Sequence, residues 1–176
     1  VAERIAPSLA KAGLVADPVQ LTSRQMDAWA ADCAAWDVCD QTCLNTFVAS
    51  PYAWRKVGIW SRRKPEFVRR SAFSLLATLA VHDKLSDDAC FIGCLPLIEA
   101  AATDERNFVK KAVNWALRNI GKRNLGLNQA AIATARRLSD SQARSARWIA
   151  SDALRELRSN VVQARLQRKQ DTAQVV

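Results

Sequence analysis

The same apolar stripe occurs three times in this chain at intervals of about forty residues. In FVKKAVNWALRNIGK, residues 108–122, it falls at Val109, Val113, Leu117 and Ile120. Spacings of four, four and three put these side chains on one face of a helix that advances about 100° per residue. Moved back 41 positions, the stripe lands on Val68, Ala72, Leu76 and Leu79 of FVRRSAFSLLATL; moved forward 37, it lands on Ala146, Ala150, Leu154 and Leu157. This repetition narrows the possible folds sharply. A short helical unit with one apolar face cannot cover that face alone, so successive units must stack.

Helix pairs repeating at this interval predict an all-α fold, an α-solenoid of HEAT or armadillo type in which antiparallel pairs build a right-handed superhelix. The face away from the core repeats as well. Arg70, Lys111 and Trp148 occupy equivalent positions, as do Ser74, Trp115 and Asp152. On the 108–122 helix, Lys111, Trp115, Arg118 and Lys122 stand opposite the apolar stripe. If the second helices of successive pairs line up, these residues form a concave basic cleft with tryptophan in it. Trp115 then has two readings: an aromatic half-covered by lysine stems against a neighbouring helix, or a stacking surface on a phosphate-binding face.

Helices are expected at residues 2–12, 22–35 and 38–48, from Pro51 along YAWRKVGIWSRR, from Pro65 onward, at 88–102 with Pro96 placed to kink it, and at 108–121, 127–138 and 141–158. They make one domain over residues 1–176, whose polar tail, residues 160–176, is expected to fray. No strand pattern is present. No stretch reaches 18 apolar residues, so no membrane span is expected, and the absence of a basic-then-apolar leader points to a cytoplasmic protein. A net charge of +9 and a pI near 9.8 favour a polyanionic partner.

Five cysteines, an odd number, argue against a disulfide framework. Cys39 and Cys43, and Cys90 and Cys94, are each one helical turn apart and admit a four-thiolate site, but there is no C-x-x-C, and His82 is the only further soft ligand. They read as small buried hydrophobes, with no metal and no cofactor expected, and His82 reads as a helix-end residue. Trp29, Trp54 and Trp60 are assigned to packing. The Arg62, Arg63, Lys64 run is a solvated loop or a grip on phosphates.

WDVCD at residues 36–40, RRSAFSLL with Arg70, and FVKKAVNWALRNIGK with Trp115, in this order and spacing, resemble the AlkD-type DNA alkylation-repair glycosylases, which are built of HEAT-like repeats. The resemblance covers about residues 29–157. It implies a glycosylase that excises alkylated purines from double-stranded DNA without flipping the damaged base into a pocket, acting as a monomer. It also implies roles for single residues. Trp36 and Trp115 match aromatics that pack on the backbone of the lesion nucleotide, Asp40 matches the catalytic carboxylate, and Arg70 matches a basic residue facing the DNA. Lys111, Arg118, Lys122 and Trp148 join Arg70 as candidate DNA contacts. The motif lies nearer the N-terminus than the family pattern has it, which implies that one to two N-terminal helix pairs are absent or much reduced.

The chemistry is consistent with the residues. Breaking an N-glycosidic bond builds positive charge on the sugar, and a fixed carboxylate such as Asp40 stabilises it. A cationic alkylpurine leaves without a proton, so a site lacking histidine and a second acid suffices. Competing readings remain at each position. Asp37 and Asp40 also fit an N-cap and a carboxylate at the third helical position, Trp36 a staple at the helix entry, and Arg70 an exposed solenoid charge. Two other functions stay open: a non-catalytic protein that holds bent, branched or damaged DNA, and a protein-binding scaffold. The scaffold accounts for the repeats but not for tryptophan on a basic face.

Overall fold

The computed structural model describes residues 17–174, and the helix expected at 2–12 lies outside them. Nine α-helices follow in order among the described residues: α1 Ser23–Asp32, α2 Trp36–Asn45, α3 Ala53–Trp60, α4 Glu66–His82, α5 Asp88–Ala101, α6 Asn107–Gly121, α7 Leu125–Ser139, α8 Arg144–Leu157 and α9 Asn160–Gln174. A 3-10 turn, Phe47–Ala49, separates α2 from α3. Local chemistry sets several boundaries. Thr22 and Gln25 form a reciprocal capping box at α1, with the Gln25 amide donating to Thr22 Oγ1 at 3.2 Å and the Thr22 amide donating to Gln25 Oε1 at 2.9 Å. Asn124 caps α7 by accepting from the Leu127 amide at 2.8 Å. Pro65 immediately precedes α4, and α5 continues through Pro96, which is exposed.

The even-numbered helices pack side by side, α2 on α4, α4 on α6 and α6 on α8, while α3, α5 and α7 each pack on the helix that follows them. The repeated stripe is the reason: Val109, Val113, Leu117 and Ile120 are fully buried, and so are Ala72, Leu76, Ala146 and Leu157. Every residue of α4 from Arg70 to Ala80 is buried, on all sides and not along one face only. Small residues make this possible, because Ser71, Ala72, Ser74, Ala77 and Ala80 let α2 and α6 approach its backbone. Phe73 of α4 and Trp60, Phe47 and Phe91 of its neighbours fill the larger spaces.

Polar side chains join one pair to the next across the period seen in the sequence. Asn119 Nδ2 donates to the Ala77 carbonyl at 3.1 Å, and Ser145 Oγ donates to the Ala102 carbonyl at 2.7 Å. Asn128 Nδ2 donates to the Gly121 carbonyl at 2.9 Å and to the Leu157 carbonyl at 3.3 Å, and so takes up carbonyls at two helix ends at once. Trp60 and Trp54 are packing residues as expected, each donating its indole N–H to an aspartate: Asp27 at 2.7 Å and Asp83 at 3.0 Å. The residues Arg62, Arg63 and Lys64 are exposed between helices.

The tail departs from expectation. It forms α9 instead of fraying, because Val162 and Leu166, four residues apart, bury 91% and 99% of their surfaces against the preceding pair. Gln163 Nε2 fastens the turn into α9 by donating to the Leu157 carbonyl at 2.6 Å and to Asn128 Oδ1 at 3.1 Å.

Close approach at one glycine tests this packing. A Cβ on Gly121 would lie 2.7 Å from Leu157 Cδ2 and 2.9 Å from Ala131 Cβ, both of which are fully buried and cannot retreat. Gly121→Ala is expected to lower stability by about 1–3 kcal/mol through overpacking. In contrast, a Cβ on Gly58, inside α3, meets nothing within 4 Å, so Gly58→Ala is expected to raise stability by about 0.5–1 kcal/mol. Urea midpoints at constant slope should therefore move in opposite directions for the two variants.

Candidate functional site

Three successive even-numbered helices meet at one ionic clasp. Asp40 projects from the second turn of α2, and Arg70 and Ser74 from α4, one turn apart. Arg70 Nη2 donates to Asp40 Oδ2 at 2.7 Å and Arg70 Nε donates to Oδ1 at 3.2 Å, while Ser74 Oγ donates to the same Oδ1 at 2.7 Å. The remaining guanidinium arm reaches α6, where Nη1 donates to the Phe108 carbonyl at 2.7 Å. This corrects two readings. Arg70 is not an exposed cation facing DNA: it is 5% exposed, and its donors are taken up by Asp40 and Phe108. Nor is Asp40 a capping residue. The N-cap of α2 is Ala35, which puts Trp36 first and Asp40 fifth, beyond the amides that a carboxylate at the helix start can serve. Asp37 lies in that first turn and accepts from the Val38 amide at 2.9 Å.

Trp36 stands beside the clasp, 52% exposed, with the Arg70 guanidinium carbon 5.9 Å from its ring centre. Its exposure excludes a role as a buried staple. Trp36, Asp40, Leu44, Val81 and the half-buried Trp115 line a groove of about 320 Å³, and a second acid, Asp37, and a histidine, His82, line it as well, which the sequence did not lead one to expect. His82 is the last residue of α4, as expected, and it edges the groove. Asp40, with its side chain 19% exposed, is thus held on one side and open on the other.

Of the other candidate contacts, Lys111 is exposed and makes no ion pair among the described residues. Arg118 and Lys122 both pair with Glu156 of α8, Lys122 at 2.7 Å, and Arg118 also lies 3.5 Å from Asp152. Burial opposes ionisation of Glu156, but Lys122 and Arg118 outweigh it and hold the carboxyl below its ordinary value. Trp148 is 41% exposed, with Lys110 Nζ 4.9 Å from its ring centre. Lys110 and Ser74 also belong to this face, Lys110 beside Trp148 and Ser74 on Asp40. Ser74 could have been found from the repeat, where it aligns with Trp115, whereas nothing local marks Lys110.

Cys39 and Cys43 lie on the core side of α2, with Cys39 Sγ 3.0 Å from Ser71 Oγ and Cys43 Sγ donating to the Ser71 carbonyl at 3.5 Å. Hydrogen bonding from Cys33 holds the Cys39 thiol below its ordinary value, and burial pushes Cys43 well up. Cys90 and Cys94 belong to α5, and among the described residues no three His, Cys, Asp or Glu come together as metal ligands.

Stacked helix pairs joined in this way make a HEAT-like repeat protein. A solved structure described as "a new family of proteins related to the HEAT-like repeat DNA glycosylases with affinity for branched DNA structures" has the same fold, with a TM-score of 0.72 and 16% identity over 94% of this chain and 74% of that one. Residues 8–166 match the model of the family described as "DNA alkylation repair enzyme", and the chain belongs to that family. No curated protein matches it significantly.

The clasp makes a stability prediction of its own. Arg70→Ala leaves Asp40 with Ser74 alone and is expected to cost about 3–5 kcal/mol, the usual effect of removing one partner of a largely buried ion pair. Removing both partners together should cost less than the sum of the single losses. Additive single and double variants in chemical denaturation would show that Asp40 and Arg70 do not hold α2 to α4.

Proposed function

We propose that the chain is a monofunctional DNA glycosylase that hydrolyses the N-glycosidic bond of cationic alkylated purines, of the 3-methyladenine or 7-methylguanine kind, in double-stranded DNA. It acts as a cytoplasmic monomer without a cofactor. The observation that carries this reading is the Asp40 carboxylate, held by Arg70 and Ser74 beside a groove walled by Trp36 and Trp115.

As the bond between C1′ and the purine nitrogen breaks, its electron pair goes to the base and positive charge develops on the sugar. A cationic purine leaves as a neutral base, so no proton donor is needed. Water then adds to C1′ and loses a proton to solvent. A carboxylate about 4 Å from the developing charge contributes about 4 kcal/mol at an effective dielectric near 20, roughly a thousandfold in rate. Arg70 offsets part of that attraction, which makes this figure a ceiling. In return, the carboxylate is oriented before substrate arrives, so little reorganisation is required at the moment of reaction. The groove is an open trough, which suits a lesion held in place with indole faces against its backbone better than one extruded into a chamber. No lysine lines it among the described residues, so the reading does not include a Schiff base or strand cleavage.

A second reading is a non-catalytic protein that holds branched DNA through the same face. Two observations favour it: each oxygen of Asp40 already accepts a hydrogen bond from Arg70, and the structural neighbour is described as having affinity for branched DNA.

Release of free base from methylated duplex DNA under single-turnover conditions distinguishes the two. Wild-type protein is expected to release base, and Asp40→Asn to lose at least a hundredfold in rate, on the order of 3 kcal/mol, while still binding DNA. Asp37→Asn, three residues earlier and about 60° round the same helix, lines the same groove but makes no hydrogen bond with Arg70 or Ser74, and it should lose far less of the rate than Asp40→Asn. Thermal melts of both variants separate lost chemistry from lost folding. Tight binding to a four-way junction with no base release by the wild type would establish the second reading instead.

A further inference from the structure

Where α4 and α6 end, α9 closes over them and leaves a recess of about 400 Å³. Lys84, Lys122, Arg123, Arg165 and Lys169 line it, and no carboxylate does. Of these, Lys122 alone is paired, with Glu156; among the described residues the other four make no ion pair. Some cations elsewhere in the fold are matched with acids, Arg69 and Arg106 with Asp104 and Arg137 with Glu99. Here they are gathered by main-chain carbonyls at helix ends. Arg123 Nη1 donates to the Ala80 and Asp83 carbonyls at 3.0 and 2.7 Å, Lys169 Nζ donates to the Lys122 and Arg123 carbonyls at 3.2 and 3.1 Å, and Lys84 donates to the Val81 carbonyl. The negative ends of α4 and α6 tolerate this crowding without neutralising it. Burial and then the nearby Arg165, Lys84 and Arg123 hold the Lys169 ammonium below its ordinary value, so an anion entering the recess would relieve both repulsion and unmet charge.

Position identifies the anion. Val81 lines both this recess and the Trp36/Trp115 groove, so the two lie side by side at the end of α4. We infer that the recess is a second phosphodiester-binding site, which takes the backbone of the same DNA on the flank of the segment in the groove. Arg165 and Lys169 of α9 form its outer wall. The inference rests on the reading of the groove as a DNA site, and it assigns α9 a direct part in holding the polyanion.

The test uses the full chain and the salt dependence of duplex binding, followed by fluorescence anisotropy. Each phosphate contact contributes about 0.9 to the magnitude of the slope of log K against log salt. Arg165→Gln changes an exposed side chain with no ion partner among the described residues and should leave the melting temperature unchanged while reducing the slope by about 0.9. Adding Lys84→Gln should reduce it by about as much again. Wild-type slopes in both variants, with DNA binding intact, would overturn the recess and leave the groove reading standing. No duplex binding by the wild-type chain would remove the groove reading itself. Polyglutamate that competes with duplex at equal charge, and loses this competition in Arg165→Gln, would assign the recess to an acidic protein and overturn the inference.

Discussion

Burial of α4 on all sides is the constraint from which the rest of the structure follows. A helix with water on one face can carry any polar residue there, but from Arg70 to Ala80 this one has no such face. Each polar group along that stretch must find a partner inside the protein or cost about 1–3 kcal/mol. Ser71 and Thr78 meet this requirement within the helix, donating to the carbonyls of Phe67 and Ser74 at 2.8 Å each. Arg70 and Ser74 cannot do so, and they turn to Asp40 on the neighbouring helix. The orientation of the Asp40 carboxylate is therefore a consequence of packing. The side chain proposed to face the sugar is held in place because the helix behind it would otherwise contain an unpaired buried guanidinium.

Charge management distinguishes the regions of the molecule. Some acids and bases are matched between repeats, and Asp104 is the clearest case: burial raises its carboxyl, Arg106 and Arg69 more than reverse this, and the result is about 2. On the even-numbered helices the matching is partial, since Glu156 serves two cations while Lys111 has none. In the recess beneath α9, carbonyl dipoles replace carboxylates. A dipole positions a cation but leaves its net charge, whereas a carboxylate cancels it.

Trp36 and Arg70 sit side by side but differ in exposure, 52% against 5%. The motif at residues 36–40 and the 108–122 helix lie far apart in the chain, and the structure brings Trp36, Asp40 and Trp115 to one groove. It does not leave Arg70 free beside them. A cation eight residues before Thr78 on an amphipathic pattern looks exposed when only one apolar stripe is considered, because the second buried side of α4 is made of Ser, Ala and Thr, residues that do not announce burial.

The sequence by itself determined the helical repeat, its interval and the stripe that faces the core, because these depend on side-chain spacing along a single helix and on the need of each unit for a neighbour. It also determined that tryptophans and cations share the other face. Only the tertiary structure decided which charges are free. Whether Arg70, Arg118 or Lys122 can meet a phosphate depends on carboxylates 30 to 38 residues away in the chain, and pairing at such separations leaves no periodic trace. The fate of the tail was decided in the same way. Two apolar residues, Val162 and Leu166, are too few to mark an amphipathic helix in a polar segment, yet they suffice to dock α9 once α7 and α8 present a surface for them.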